Sequence, residues 1–269
     1  MDSASIGAQP LSRARKTWFS ALGVVFALGM GLGLFGWLFL LFGWFDDDMG
    51  GIHRVHDVAG TGVTIGIFMA TPLLVLAFRR DDVALLQEVA VAGLAFAVAA
   101  VLATDWGALV FLPIIAAPVI VLVAVSGGWR QFVAPGGGAA PAVLVATVVA
   151  APFWIAYALT MARLQRTGFP NDPHIEMHHW TSMASMALAF VFLGLLASLR
   201  SSGWRIVAWT VGAGAAVFGL ASIVFSNFVG SGVPYAGSEG VAWGFASMAW
   251  GVLILGAAEL EVRRGRARA

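Results

Sequence analysis

All five histidines of the chain fall in two short stretches, each just ahead of a long apolar run. The first is Gly51-Ile-His53-Arg-Val-His56-Asp57-Val-Ala-Gly60. Residues i, i+3 and i+4 share a helix face, so His53, His56 and Asp57 are expected to converge, with Gly60 one turn deeper leaving room. The second is Asn171-Asp172-Pro173-His174-Ile-Glu176-Met-His178-His179-Trp180. Asp172 suits a helix N-cap and Pro173 a first helical position. On that helix His174 and His178 stack at i, i+4, and Glu176 and His179 pair at i, i+3. Imidazoles and carboxylates converging from two helices can bind Zn, Cu, Fe or Mn, which makes His53, His56, Asp57, His174, Glu176, His178 and His179 candidate metal ligands. His56 and His179, from opposite helices, are also a candidate axial pair for a haem iron. The competing reading is interfacial: His, acids and Trp solvate helix ends where a membrane meets water. His-x-Glu-x-His-His is not the zincin His-Glu-x-x-His pattern, so metalloprotease chemistry is not supported.

The elements that must position these residues follow from composition. The 269 residues are 60% hydrophobic and 11% charged, against about 25% charged in soluble domains. A chain so apolar needs a bilayer as solvent. Eight apolar runs approach or exceed the ~20 residues a crossing helix needs: about 18–44, 57–78, 83–103, 107–126, 141–162, 179–199, 204–227 and 240–260. The expected fold is an all-α polytopic transmembrane bundle of about eight helices. A cytoplasmic tail (1–16) precedes the bundle (17–262), and a basic tail (263–269) follows it. Pro113, Pro118 and Pro152 predict kinks. Cysteine is absent, which excludes disulfides and thiolate sites. The first apolar run is too long for a cleaved signal peptide. The net charge of +1 and the lack of a long basic tract argue against nucleic acid as a partner.

With the N-terminus inside, the cytoplasmic side collects Arg13, Arg15, Lys16, Arg79, Arg80, Arg130, Arg200, Arg205, Arg263, Arg264, Arg266 and Arg268, leaving Arg54, Arg163 and Arg166 outside. That bias obeys the positive-inside rule, and an even number of spans puts both basic termini on one side. A bacterial plasma membrane is the expected location. The outer face then gathers Asp46, Asp47, Asp48, Asp57, Asp105, Asp172, Glu176 and Glu239 with the histidines into an acidic, imidazole-rich rim. Segments 45–52, 163–172 and the Gly/Pro-rich 228–239 lie there too, the last as a loop or lid. The Gly-rich stretch from Pro135 to Pro141 reads as a seam between two four-helix halves, 17–130 and 141–262. A shift of about 123 residues lays His179 on His56, as a parallel repeat would.

Other groups are weaker candidates. Glu88 lies about a turn inside the cytoplasmic end of its span and is expected to snorkel to the surface. Tyr157 with Arg163 and Arg166 could hold an anion, though loop arginines are more often solvated. Met183 and Met186 could extend a soft copper site, but mid-helix Met usually packs. The small-residue runs Gly29, Gly31, Gly33 and Gly212, Gly214, Ala215, Ala216 suit close helix contact. No Walker A motif, nucleophile elbow or Rossmann fingerprint is present.

Gly51-Ile-His53-Arg-Val-His56-Asp57-Val-Ala-Gly60, followed by Pro72-Leu-Leu-Val-Leu-Ala-Phe-Arg79-Arg80, resembles a span of a prokaryotic multi-pass family catalogued as a domain of unknown function. The segments Leu188 to Arg200 and Gly219 to Pro234 are similar to another pair of its spans. That resemblance implies a polytopic fold and supplies no catalytic residue. The Ile-His53-Arg54 string and the eight spans are also similar to haem A synthases, which carry further histidines on the fourth and eighth spans; this chain has none there. Three functions stay open: a membrane protein with a His/acid-lined extracytoplasmic site for a metal ion or small ligand, a metal- or haem-binding oxidoreductase, and a zinc-dependent intramembrane hydrolase. The lipid bilayer is the expected partner in each.

Overall fold

The computed structural model describes residues 12–45, 51–134, 136–168, 172–226 and 240–268. Among them there are helices and turns but no strand. Among the described residues, eight helices are long and apolar enough to cross a bilayer: α1 (Arg13–Gly33), α2 (His56–Phe78), α3 (Val83–Leu102), α4 (Ala108–Ser126), α5 (Pro141–Thr167), α6 (His179–Ser198), α7 (Trp204–Val224) and α8 (Gly240–Gly265). The expected polytopic all-α bundle is what forms. Backbone groups must be satisfied within each segment once water is excluded, and helices do that. Asp46, Asp47, Asp48, Glu239 and the 228–239 loop lie outside the described residues.

Burial separates centre from periphery. α6 is the most enclosed helix, 83% of its most apolar window being buried, whereas α1 and α4 reach 28%. α6 packs on α2, α3, α5 and α7, and α2 packs in turn on α1 and α7. α5 and α8 pair on one flank, α1 and α4 on the other. The outer faces of the flanking helices carry exposed apolar side chains such as Val145, Val149, Phe153 and Ile120, as a lipid-facing surface should. One continuous core contains Phe68, Phe190, Phe218 and Trp154 from four different helices, so the two sequence halves share it. The stretch before α5 is pinned to the end of α6: Ala140 N–H donates to Ser198 O at 2.8 Å.

The ends of the bundle sort the connections. At one end Ala84 N–H donates to Ser202 O, joining the start of α3 to the start of α7. The N-terminal Arg15 guanidinium lies near Gly127 at that same end. At the other end Arg166, at the foot of α5, donates to Leu102 O at the top of α3. Both histidine stretches sit at this second end.

Two helices depart from a simple α-helix. The first apolar run is broken: after a wide π turn at Gly29–Gly33, Phe35 takes a left-handed backbone (φ 62°) and a short helix, Gly36–Phe42, completes the crossing. Gly31 backs onto the Trp37 ring, while Gly29 and Gly33 meet nothing, so these glycines shape the break and do not form a helix contact. Close backbone approach occurs instead at Gly36 against Gly66, where a Cβ on Gly36 would fall 2.6 Å from Gly66 N. In α2, residues His56–Ala70 form a π-helix, a form usually confined to single turns and enriched at functional sites. The Trp37 indole donates to Gly66 O (3.1 Å), and the Thr71 hydroxyl donates to the same carbonyl (2.8 Å) where the π segment ends.

Of the prolines expected to kink their helices, Pro118 and Pro152 lie inside theirs, but Pro113 falls in the first turn of the α-helical part of α4 (Leu112–Ser126), which follows a 3-10 turn at Ala108–Phe111. Gly212 and Gly214 do mediate contact, Gly212 against α8 and Gly214 against Val63 and Phe68 of α2.

Candidate metal centre

The two histidine stretches meet. The His53 ring lies edge-on to His174 (centroids 4.9 Å) and His179 (4.8 Å). His56 packs on His174 at 4.4 Å and stacks on His179 at 5.2 Å with 14° between the planes. All four are buried, between 0% and 7% exposed. One nitrogen each from His53, His174 and His179 lies within 4.8 Å of the other two. A tetrahedral metal with ~2.0–2.1 Å bonds spaces its nitrogens roughly 3.4 Å apart, so the three rings need to close by little more than an ångström.

Local chain geometry brings the rings in. Asp172 caps the turn Pro173–Glu176 by accepting from His174 N–H (3.0 Å), as its position before Pro173 predicts. The same oxygen, Oδ1, lies 2.6 Å from His174 Nδ1. A carboxylate can only accept, so Nδ1 carries the proton and Nε2 keeps its lone pair, free to serve a ligand. Asp172 Oδ2 accepts from the Trp180 indole at 2.8 Å, which fixes the carboxylate in turn. A carboxylate behind a ligating imidazole is the usual support of a metal site. Asp57 approaches the cluster from α2, its Oδ1 3.9 Å from His179 Nε2.

Several expectations need correction. The turn that starts at Pro173 ends at Glu176, and His178 takes a left-handed backbone (φ 57°) before α6 begins. That break destroys the predicted i, i+4 stack of His174 on His178 and the i, i+3 pair of Glu176 with His179. His178 turns away from the cluster to Asp105, and Glu176 is exposed. Gly60 leaves no room for a ligand. A Cβ there would sit 3.0 Å from Ser182 Oγ and 3.1 Å from Met183 Sδ, so this glycine admits α6. Asp57, Asp105 and Asp172 are buried, so they form the interior of this end and not a solvated rim. Glu88 does not snorkel: it is fully buried and accepts from the Thr210 hydroxyl of α7. Tyr157 packs among Trp154, Phe218 and Trp243, while Arg163 and Arg166 are exposed. Met183 and Met186 are fully buried core residues, as packing predicts.

Sequence places Asp105 and Asp172 only in the acidic rim, with Asp172 also a helix cap, and points to neither as a histidine's partner, nor to Thr181 or Trp180 as site residues. The one local signal was Asp172 two positions ahead of His174. Asp105 lies 73 residues from His178, and nothing local announces that pairing.

The interfacial reading of the histidines fits poorly with this burial. His174 Nε2 and His179 Nδ1 are buried with no hydrogen-bond partner among the described residues. Each buried polar atom left so costs about 1–3 kcal/mol, and a metal ion is one ligand that answers several converging imidazoles at once. A haem is a poor fit for His56 and His179. Its axial rings must stand on either side of a porphyrin plane, whereas these two stack on each other with His53 and His174 packed against both.

Fold and centre define a class: a polytopic helical membrane protein with a buried imidazole cluster at one end of its central helix pair. No protein-family model, curated protein or solved structure matches the chain.

Proposed function

We propose that this protein binds one first-row transition-metal ion at the buried histidine cluster, with His53, His174 and His179 as ligands and His56 packed beside them as the fourth imidazole. The observation that carries this reading is the convergence of three ring nitrogens within 4.8 Å in a buried setting. An all-imidazole donor set suits Zn, Cu, Fe or Ni, and the absence of thiolates removes the softest alternatives. The positive-inside rule places this end outside the cytoplasm and both tails within. Support for the two-half arrangement comes from the repeated neighbour relations: α3 packs on α6 as α7 packs on α2, and α1 on α4 as α5 on α8.

A second reading, zinc-dependent hydrolysis, draws on Asp57. Three imidazoles leave a fourth position open, and a metal-bound water there would have the Asp57 carboxylate near His179 as its neighbour. The readings part on the fourth ligand: an imidazole nitrogen for a closed site, an exchangeable water for a hydrolytic one.

The test is elemental analysis of detergent-purified protein after equilibration with Zn2+, Cu2+ or Co2+. The expected result is one metal per chain in wild type and loss of it in His179→Ala and His174→Ala, with His56→Ala separating the two readings. Equal metal content in wild type and every variant would remove the shared centre.

A further inference from the structure

His178 is the odd histidine. The other four rings point into the bundle, while the His178 side chain is 30% exposed. Its Nδ1 lies 2.8 Å from Asp105 Oδ2, an atom that also accepts from the Thr181 hydroxyl at 2.6 Å. Asp105 Oδ1 accepts from Ala108 N–H (3.2 Å), so the carboxylate is held by its own loop and by α6 together. With Nδ1–H donating to Asp105, the ring's lone pair is on Nε2, and the side chain is in part open to solvent. This is the His174–Asp172 arrangement repeated, but facing outward. The left-handed backbone at His178, a conformation non-glycine residues rarely adopt, makes the difference: it sends two consecutive imidazoles, His178 and His179, in different directions. Gly107 makes space for the ring, since a Cβ there would lie 2.9 Å from His178 Cε1.

We propose that His178, held by Asp105, is the transit ligand through which a metal ion passes between solvent and the buried centre. The proposal rests on the metal-binding reading above. An ion entering a closed imidazole cluster must exchange its waters for nitrogens stepwise, and an oriented, water-exposed imidazole covalently next to a final ligand supplies the first exchange. A group that binds the ion only on the way in lowers the barrier in both directions and leaves the equilibrium untouched.

The test is stopped-flow Co2+ uptake and chelator-driven release by the purified full chain, wild type against His178→Asn. Asn tolerates a left-handed backbone and its amide can still donate to Asp105, so the variant removes the imidazole with least disturbance. Uptake and release are both expected to slow by about tenfold or more, with dissociation constant and stoichiometry unchanged, the pattern of an interaction made only in passage. Asp105→Asn, which keeps the imidazole but loosens its aim, should slow both rates to a smaller extent, and Glu176→Ala on the same loop should not. Unchanged rates in His178→Asn, or a lost equilibrium site in it, would overturn the proposal while leaving the buried centre standing. Failure of wild type to take up Co2+ at all would overturn the buried centre itself.

Discussion

At the residue scale, carboxylates decide which imidazole does what. Asp172 fixes the tautomer of His174, and Trp180 fixes Asp172. Asp172→Asn is therefore expected to weaken Zn2+ binding by about 10–100-fold without abolishing it at saturation, as isothermal titration would read; an unchanged affinity would separate Asp172 from the centre. Glu88 poses a different problem, a buried acid whose hydroxyl partner is Thr210. Thr210→Val should destabilise the bundle by roughly 1–3 kcal/mol by stranding that carboxyl. The double variant Glu88→Leu/Thr210→Val should recover part of the loss, a coupling that additive thermal unfolding data would refute. The histidines themselves were legible in sequence, because few residue types bind metals and all five cluster. Their individual aims were not. Whether His174 or His178 faces inward depends on one left-handed residue, and whether Asp57, Asp105 and Asp172 are buried depends on helices distant in sequence.

At the element scale, hydropathy located the spans closely because a bilayer imposes length and apolarity on each segment independently of its neighbours. The 83–103 and 179–199 runs match α3 and α6 almost residue for residue. What hydropathy could not show is the backbone within a span: the break after Gly33, or the π-helical start of α2, whose wider turn is equally apolar. Those features are set by packing, above all by the approach of Gly36 to Gly66. Gly36→Ala should therefore lower the thermal midpoint, with an overpacking cost of about 1–3 kcal/mol. Gly33→Ala, at a position with nothing within 4 Å, should leave it unchanged or slightly raised. Equal effects of the two would contradict the assigned contact between the broken helix and α2.

At the scale of the whole molecule, the even number of crossings among the described residues brings both histidine stretches to one end and the start of α1 and the end of α8 to the other. The chain has no cysteine, so single introduced cysteines report without background. Trp106→Cys and Glu176→Cys, both at exposed positions of the histidine end, should react with a membrane-impermeant maleimide on intact cells; Arg13→Cys should react only after lysis. The opposite accessibility would invert the orientation, and labelling of Trp106→Cys and Glu176→Cys from different sides would dissolve the site. In the proposed centre this topology brings imidazoles from the turn before α2 (His53), the turn before α6 (His174) and the first residue of α6 (His179) to one point. X-ray absorption at the metal edge of the purified, metal-equilibrated protein tests it most directly. One bound ion is expected, its inner shell holding at least three imidazole nitrogens at ~2.0–2.1 Å; a shell of oxygen donors, or no stoichiometric ion to measure, would contradict the buried imidazole centre.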